Sequence, residues 1–354
     1  MAKTPAIYTL APADAQKLNQ ALNTWYKRVK RPLPWRATRD PYAIWVSEIM
    51  CQQTRVDTVI PYYQQWMARF PTVESLAQSP IEDVLLYWQG LGYYRRARNL
   101  HKGATLVVEK YRGVLPTTAQ ELQNIPGIGP YTASAIASIA FEERTPALDG
   151  NLQRVLSRLA ADTGDITRAA TLRRLRTLGE QIVDFPEPGD TNQALMELGA
   201  TLCTPTSPAC EQCPVQPWCR AYAKGEQTAY PVKTKIAKAR KEHRHAYFAV
   251  RPTDQAIYLA QRRDDALLGG LWEVPLLTSK PRAPEWTEHG ALRHLFTHID
   301  LHVTVWVAHD DVTLPALDKK YAQAQWVLGH ELDQLPQSTL MRKILSLYSS
   351  EPTR

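Results

Sequence analysis

The chain has 354 residues, with 42 Lys and Arg against 35 Asp and Glu, a formal charge of +7 and 44% hydrophobic residues. That length can build two ordinary cores, and the mild basic excess suits a polyanionic partner. No apolar run reaches membrane-spanning length and no hydrophobic leader follows Met1, so a soluble, cytoplasmic protein is expected.

Residues 12–222 read as almost wholly helical. Leu18, Leu22, Trp25 and Val29 recur at helical spacing until Leu33-Pro34-Trp35 breaks the pattern. Asp40-Pro41 supplies a cap and a first-turn proline for a helix reaching about Cys51, and Ser79-Pro80-Ile81-Glu82 does the same for one stopping at Gly90. Leu91-Gly92-Tyr93-Tyr94 is a loop, followed by Arg95, Arg96, Arg98, His101 and Lys102 on a helix. Clustered cations beside aromatics suit nucleic acid, although a solvated helix face is the commoner source of such charges.

The segment from about 118 to 140 organises this half. Thr118 and Glu121 have capping-box spacing, Pro126-Gly127 ends that helix, and Pro130 opens a second one rich in small residues. The result is a helix-hairpin-helix. Gly127 and Gly129 lack a Cβ, so a foreign backbone can come close, and the free N–H groups at the second helix's start can hold a phosphate oxygen.

Two carboxylates could do chemistry. Glu48 shares a largely apolar helical stripe with Ile44, Trp45 and Cys51, so burial would keep it protonated near neutrality, while pairing with an arginine is an equal alternative. Asp149, in Asp149-Gly150-Asn151, reads first as an ordinary turn and cap. The same turn would leave it exposed and ionised. A protonated Glu with an ionised Asp is the pair that cleaves glycosidic bonds. Four of the five cysteines follow as Cys203-x6-Cys210-x2-Cys213-x5-Cys219, a spacing open to zinc or an iron–sulfur cluster. Cys51 stands apart as a buried neutral thiol.

Residues 224–244 form a basic linker suited to a phosphate backbone. Beyond it the period turns to two. Leu301, Val303, Val305 and Val307 alternate with polar or aromatic residues, further strands are expected near 247–250, 256–261 and 325–328, and a closing helix near 338–348.

These motifs together resemble the endonuclease III superfamily of helix-hairpin-helix DNA glycosylases, and within it the branch that removes adenine. The resemblance rests on Leu33-Pro34-Trp35-Arg36, residues 45–54, Gly90-Leu91-Gly92-Tyr93-Tyr94, the hairpin, Leu148-Asp149-Gly150-Asn151 and the cysteine spacing. It implies a multidomain protein: an all-α helix-hairpin-helix glycosylase domain (1–223) with a [4Fe–4S] cluster loop (203–219), then a smaller α+β Nudix-like domain (245–354). By the same resemblance, Glu48 protonates adenine and activates water, Asp149 stabilises the sugar cation, and Tyr131 and Asn151 orient them. Arg36 and Glu197 would line the adenine pocket. Gln53 and Tyr93 would wedge into the duplex beside 8-oxoguanine, with Thr54 and Leu91 near the same lesion, and Phe296, Thr297 and His298 would read 8-oxoguanine.

The lyase relatives carry a lysine where this chain has Tyr131, so base removal without strand cleavage is implied. No Arg-Glu-x-x-Glu-Glu run lies between Trp272 and Phe296, and that interval is short for the helix of the Nudix family, so nucleotide hydrolysis is disfavoured. The expected partner is duplex DNA with an 8-oxoguanine:adenine or guanine:adenine mispair, bound by a nucleoid-associated monomer. The weighed alternatives are a pyrimidine glycosylase and a non-catalytic damage-sensing protein.

Overall fold

The computed structural model describes residues 8–234, 239–309 and 312–349. These fall into two compact units, one within the spans Met1–Ala77 and Lys102–Lys235, the other within Gln78–His101 and Ile236–Arg354. The second unit therefore takes a 24-residue excursion out of the helical half of the sequence.

The helices run α1 Pro12–Val29, α2 Pro41–Cys51, α3 Val56–Arg69, α4 Val73–Ala77, α5 Ile81–Tyr87, α6 Arg95–Tyr111, α7 Ala119–Leu122, α8 Pro130–Phe141, α9 Gly150–Ala160, α10 Ala169–Val183, α11 Pro188–Thr201 and α12 Arg220–Ala223. In the first unit Leu18, Leu22 and Trp25 of α1 share a core with Leu152, Val155, Leu156 and Leu159 of α9, Leu175, Leu178 and Ile182 of α10, and Leu195 and Leu198 of α11. Helix α8 supplies almost only Ala, Ser and Ile to its buried face. Small side chains let neighbours come close: at Gly189 of α11, an added Cβ would lie 2.7 Å from Ser138 O and Ile139 Cα. Asp40 caps α2 as expected, accepting from Tyr42 N–H at 3.0 Å. Pro80 rather than Ser79 takes the cap position of α5, and the Ser79 carbonyl accepts from His101 at 2.9 Å.

The second unit holds strands β1 Arg240–Ala249, β2 Ile257–Arg262, β3 Trp272–Glu273, β4 Leu276–Leu277, β5 Thr287–Leu295, β6 Ile299–Ala308 and β7 Tyr321–Val327, then α13 Thr339–Ser349. One sheet is ordered β4-β1-β6-β5, with β1 and β6 parallel and the other pairs antiparallel, and the second is β3-β2-β7. Strand β6 buries Leu301, Val303, Val305 and Val307, as its alternation predicts. Leu340, Met341 and Ile344 of α13 join that core. Strands β3, β4 and β5 have no counterpart among the strands expected from periodicity.

The basic linker is shorter than its composition suggests. Val232 bridges to Asp165, whose carboxylate also accepts from Thr234, and Arg240–Arg244 already belong to β1. Lys235 to Lys238 lie outside the described residues. No helix of the described chain is long and apolar enough to cross a membrane.

Candidate active site

Helix α2 is buried along its whole length from Tyr42 to Met50, so Glu48 has no solvated face to turn to. It is 9% exposed. Burial raises its pKa to about 7; the hydrogen bond from Tyr131 and the Arg36 charge pull the other way, and Asp149 adds to the rise. Tyr131, in the first turn of α8, donates its hydroxyl to Glu48 Oε2. A tyrosine held this way between a buried carboxyl and Asp149 has its own pKa raised well above the usual range, and burial is the main cause.

Asp149 is the cap of α9. Its Oδ1 accepts from Leu152 N–H at 2.7 Å and its Oδ2 from Asn151 Nδ2 at 2.9 Å. The expectation of an exposed carboxylate is corrected here: Asp149 is partly buried and its pKa is raised by burial, although the Leu152 and Asn151 donors oppose the rise. Capping draws the side chain back under the first helical turn instead of out to solvent.

Two residues that sequence reasoning did not single out hold this loop. Asn192, fully buried on α11, accepts from Ala147 N–H at 2.9 Å and donates to Thr145 O and Ser138 Oγ, each at 2.9 Å. Arg154, one turn beyond Asn151, donates to Asn151 Oδ1, Gly199 O and Cys203 O, all at 2.8 Å. Gly199 makes the approach possible, since a Cβ there would stand 2.6 Å from Asn151 Cβ. The i, i+3 spacing of Asn151 and Arg154 was the available signal.

Arg36 and Glu197 do meet, at 2.7 Å, with Glu197 only 1% exposed. A second arginine completes the group: Arg31 donates through Nε to Oε1 at 2.7 Å and through Nη2 to Oε2 at 2.9 Å. Glu197 is thereby held ionised, its pKa lowered by both guanidinium groups against the effect of burial. An ionised carboxylate flanked by fixed N–H forks is a hydrogen-bonding wall for a planar heterocycle.

The hairpin glycines differ from each other. Gly127 has φ +85°, a conformation that needs glycine. Gly129 has φ −86°, and a Cβ there would meet nothing within 4 Å. Its value is therefore the open space outside. Gly129→Ala should leave the melting temperature within about 2 °C of wild type and weaken binding of a lesion-free duplex about tenfold, measured by anisotropy. Unchanged binding would remove Gly129 from the phosphate grip.

Gln53 at the end of α2 is exposed with φ 58°, and Thr54, half-buried, donates to Gln52 O at 3.4 Å. In the second unit Tyr93 is 49% exposed with φ 47°. Both wedge candidates thus sit in left-handed backbone that non-glycine residues adopt at a cost. Tyr93 and Thr297 join their hydroxyls at 3.0 Å. Phe296, Thr297 and His298 form the β5–β6 turn, with Phe296 N–H donating to Ile299 O at 2.8 Å, and Thr297 and His298 are exposed. Leu91 is buried, so its side chain does not face solvent.

The cations on α6 are not one free face. Arg96 donates to Leu91 O and Gly92 O at 3.1 and 3.2 Å, stacks over Trp88 and Tyr93, and so fixes the loop. Arg98 is buried and pairs with Asp264. Cys51, expected to be buried, is half-buried at the end of α2.

Cys203, Cys210, Cys213 and Cys219 line one cavity together with Arg158. Arg158 is 2% exposed, and its partners are Cys203 Sγ at 3.2 Å and the carbonyls of Thr204, Pro205 and Tyr230. A buried guanidinium with such partners fits a set of thiolates, whose charge it would balance.

Residues 46–181 match the HhH-GPD superfamily of base excision DNA repair proteins, 203–219 the iron–sulfur binding domain of endonuclease III, and 246–347 the NUDIX domain. The chain is 37% identical to adenine DNA glycosylase of Mus musculus, covering 95% of this chain and 78% of that one. It is 35% identical to the Homo sapiens adenine DNA glycosylase over 96% of this chain and 75% of that one. For the Buchnera aphidicola enzyme of strain Sg the identity is 33%, with 80% and 85% covered. Among solved structures, a thermostable thymine-DNA glycosylase superposes with a TM-score of 0.53 at 27% identity, covering 60% of this chain and 98% of that one. A trapped endonuclease III–DNA intermediate superposes at 0.50 and 22%, covering 61% and 99%, a likeness of fold. The cofactor of the cysteine loop is thus a [4Fe–4S] cluster, and zinc is set aside.

Proposed function

Because the chain belongs to the adenine DNA glycosylase family, a DNA-acting base excision repair enzyme, we propose how its own residues carry the reaction and which adenine they choose. Glu48 is the general acid. With its pKa raised to about 7, and held by Tyr131, it keeps a substantial protonated fraction at neutral pH and gives that proton to adenine N7 as the C1′–N9 bond breaks and its electron pair leaves with the base. Asp149 stabilises the cation left at C1′, held in place by Leu152 N–H and Asn151. Glu48, now a carboxylate, takes the proton of the water that attacks C1′. The enzyme is thereby monofunctional: a tyrosine stands where a Schiff-base lysine would have to be. Glu197, with Arg31 and Arg36, holds the extruded adenine. Cys203, Cys210, Cys213 and Cys219 would hold the [4Fe–4S] cluster, which would brace the loop that Arg154 joins to Asn151.

The selected adenine is the one opposite 8-oxoguanine. Adenine is an undamaged base, so selection has to come from the opposite strand. The observation that carries this reading is the Tyr93–Thr297 hydroxyl contact at 3.0 Å, which ties a wedge residue to the hairpin tip within one compact unit. Single-turnover release of adenine from 8-oxoguanine:adenine and guanine:adenine duplexes tests it. Wild type should favour the lesion duplex, with strand breakage only after alkali. Thr297→Val should narrow the preference about tenfold, the effect of one hydrogen bond of about 1.4 kcal/mol. Equal wild-type rates on the two duplexes would sink the reading.

A further inference from the structure

The β5–β6 hairpin has a second functional surface besides its tip. Cross-strand register puts His243 of β1, His302 of β6 and Arg293 of β5 in one row, and Lys241, Asp300 and Leu295 in the next. Side chains in such rows share one face of the sheet. The opposite face carries Leu301, Val303 and Val305 into the core, so this one looks outward, and Lys241, His243, Arg293 and His302 are all exposed. Ala291 leaves a hollow beside them, and together they line an open cleft of about 500 Å3.

The charges on this face are one-sided but not uniform. Asp300 is the acidic member of these rows; it holds Arg293 through two bonds of 2.6 and 2.9 Å and lies 3.5 Å from His302. Asp300 is buried, so Arg293 keeps outward-facing N–H groups while its charge is partly offset. Glu242 also borders the cleft, and its carboxylate is engaged by Arg240 and Arg244. Lys241 then stands without a direct carboxylate contact among the described residues, with N–H groups of His243 and His302 beside it. His243 is also in contact with Thr304 Oγ1 at 3.1 Å, which fixes its ring. A cation with several fixed N–H donors in a shallow cleft is a phosphate-recognising arrangement, and its openness suits a chain that passes across it.

The cleft also continues from the hairpin tip. Row His243–His302–Arg293 is four residues from Thr297 along β5, roughly 13 Å at about 3.3 Å per residue, or about four base-pair steps. We propose that this sheet face binds backbone phosphates of the same DNA duplex, flanking the site that the tip reads. It extends the proposed reading of the lesion by the hairpin and rests on it.

The test is the salt dependence of duplex binding by the full-length enzyme with its cluster, using an 8-oxoguanine:adenine duplex of about 30 base pairs. The variant is Lys241→Ala with His302→Ala; both side chains are exposed, so the fold should hold. Its affinity should fall about tenfold, and the slope of log K against log salt should become shallower by about one. Single-turnover adenine release at saturating enzyme should not change, and Lys319→Ala, exposed and off this face, should behave as wild type. A slope equal to wild type, or an equal change in Lys319→Ala, would overturn the proposal. Failure of the lesion reading is distinguishable, because it shows in wild type as equal release from the two mispairs.

Discussion

Glu48→Gln should lower single-turnover adenine release by about a thousandfold or more while duplex affinity stays within about threefold of wild type. The size follows from the role. A general acid with a pKa of about 7 is half protonated at neutrality and strong enough to protonate a purine, whereas glutamine has no proton to give. Release by wild type should accordingly decline as the pH rises through 7. The same substitution should alter stability in the opposite sense. Glu48 has its folded pKa raised from 4.5 to about 7, so the folded state keeps a proton that the unfolded chain gives up. Wild type therefore loses stability as the pH climbs from about 4.5 to 7, by roughly 3 kcal/mol at 1.36 kcal/mol per unit. Glutamine does not titrate. The variant should thus melt higher than wild type at pH 8, with the gap shrinking toward pH 5. A gap that is the same at both values would mean that Glu48 is not a buried acid of this kind.

Asp149→Asn should reduce release by about a thousandfold, near 4 kcal/mol in the barrier. Asparagine caps a helix about as well as aspartate, so the bond from Leu152 N–H persists. What is lost is the negative charge beside the forming sugar cation. One hydrogen bond goes with it: Asn151 donates to Asp149 Oδ2 and cannot turn over, because its own oxygen accepts from Arg154. Losing that bond costs about 1 kcal/mol, while removing a carboxylate whose pKa is raised by burial works in the other direction near neutrality, so the melting temperature of Asp149→Asn should stay close to that of wild type. Asp149→Ala loses the cap as well and should melt lower than Asp149→Asn. Near-normal release by Asp149→Asn would leave Asp149 as a cap and nothing more.

How far the site could be read in advance depended on whether each residue's environment was local. Glu48 was legible because the apolar stripe around it lies on its own helix. Asp149 was half legible: its turn was visible, but the closure of α11 over Asn151, permitted by Gly199, is a tertiary fact that no local pattern shows. Arg31 and Asn192 went unread for the same reason, since their partners are about 45 to 170 residues away, and of Arg154 only the bond to Asn151 is local, its other partners Gly199 and Cys203 being about as distant. Strand β6 announced itself by burying alternate residues. Strand β5 did not, because none of its residues is buried and a register shift falls between Glu288 and Gly290. The cations of α6 misled in the other direction. Arg96 and Arg98 look solvated by composition, yet one braces a loop and the other is buried against Asp264.

Residues 78–101 give the chain a join that does not coincide with its linear order. Tyr94 donates to Gln337 O at 2.8 Å, Gln89 accepts from Gln337 N–H at 2.7 Å, Arg98 pairs with Asp264, and Tyr93 meets Thr297. A chain cut short at the linker would keep Glu48, Asp149 and the four cysteines but leave this excursion without its receptor, depriving Tyr94 of the Gln337 carbonyl and Arg98 of Asp264. Fusing the final third of the chain to a foreign glycosylase would fail in the complementary way, presenting a socket with nothing to fill it. The unit of inheritance for graft or truncation is therefore the C-terminal segment together with residues 78–101, two pieces that recombination at the linker would separate.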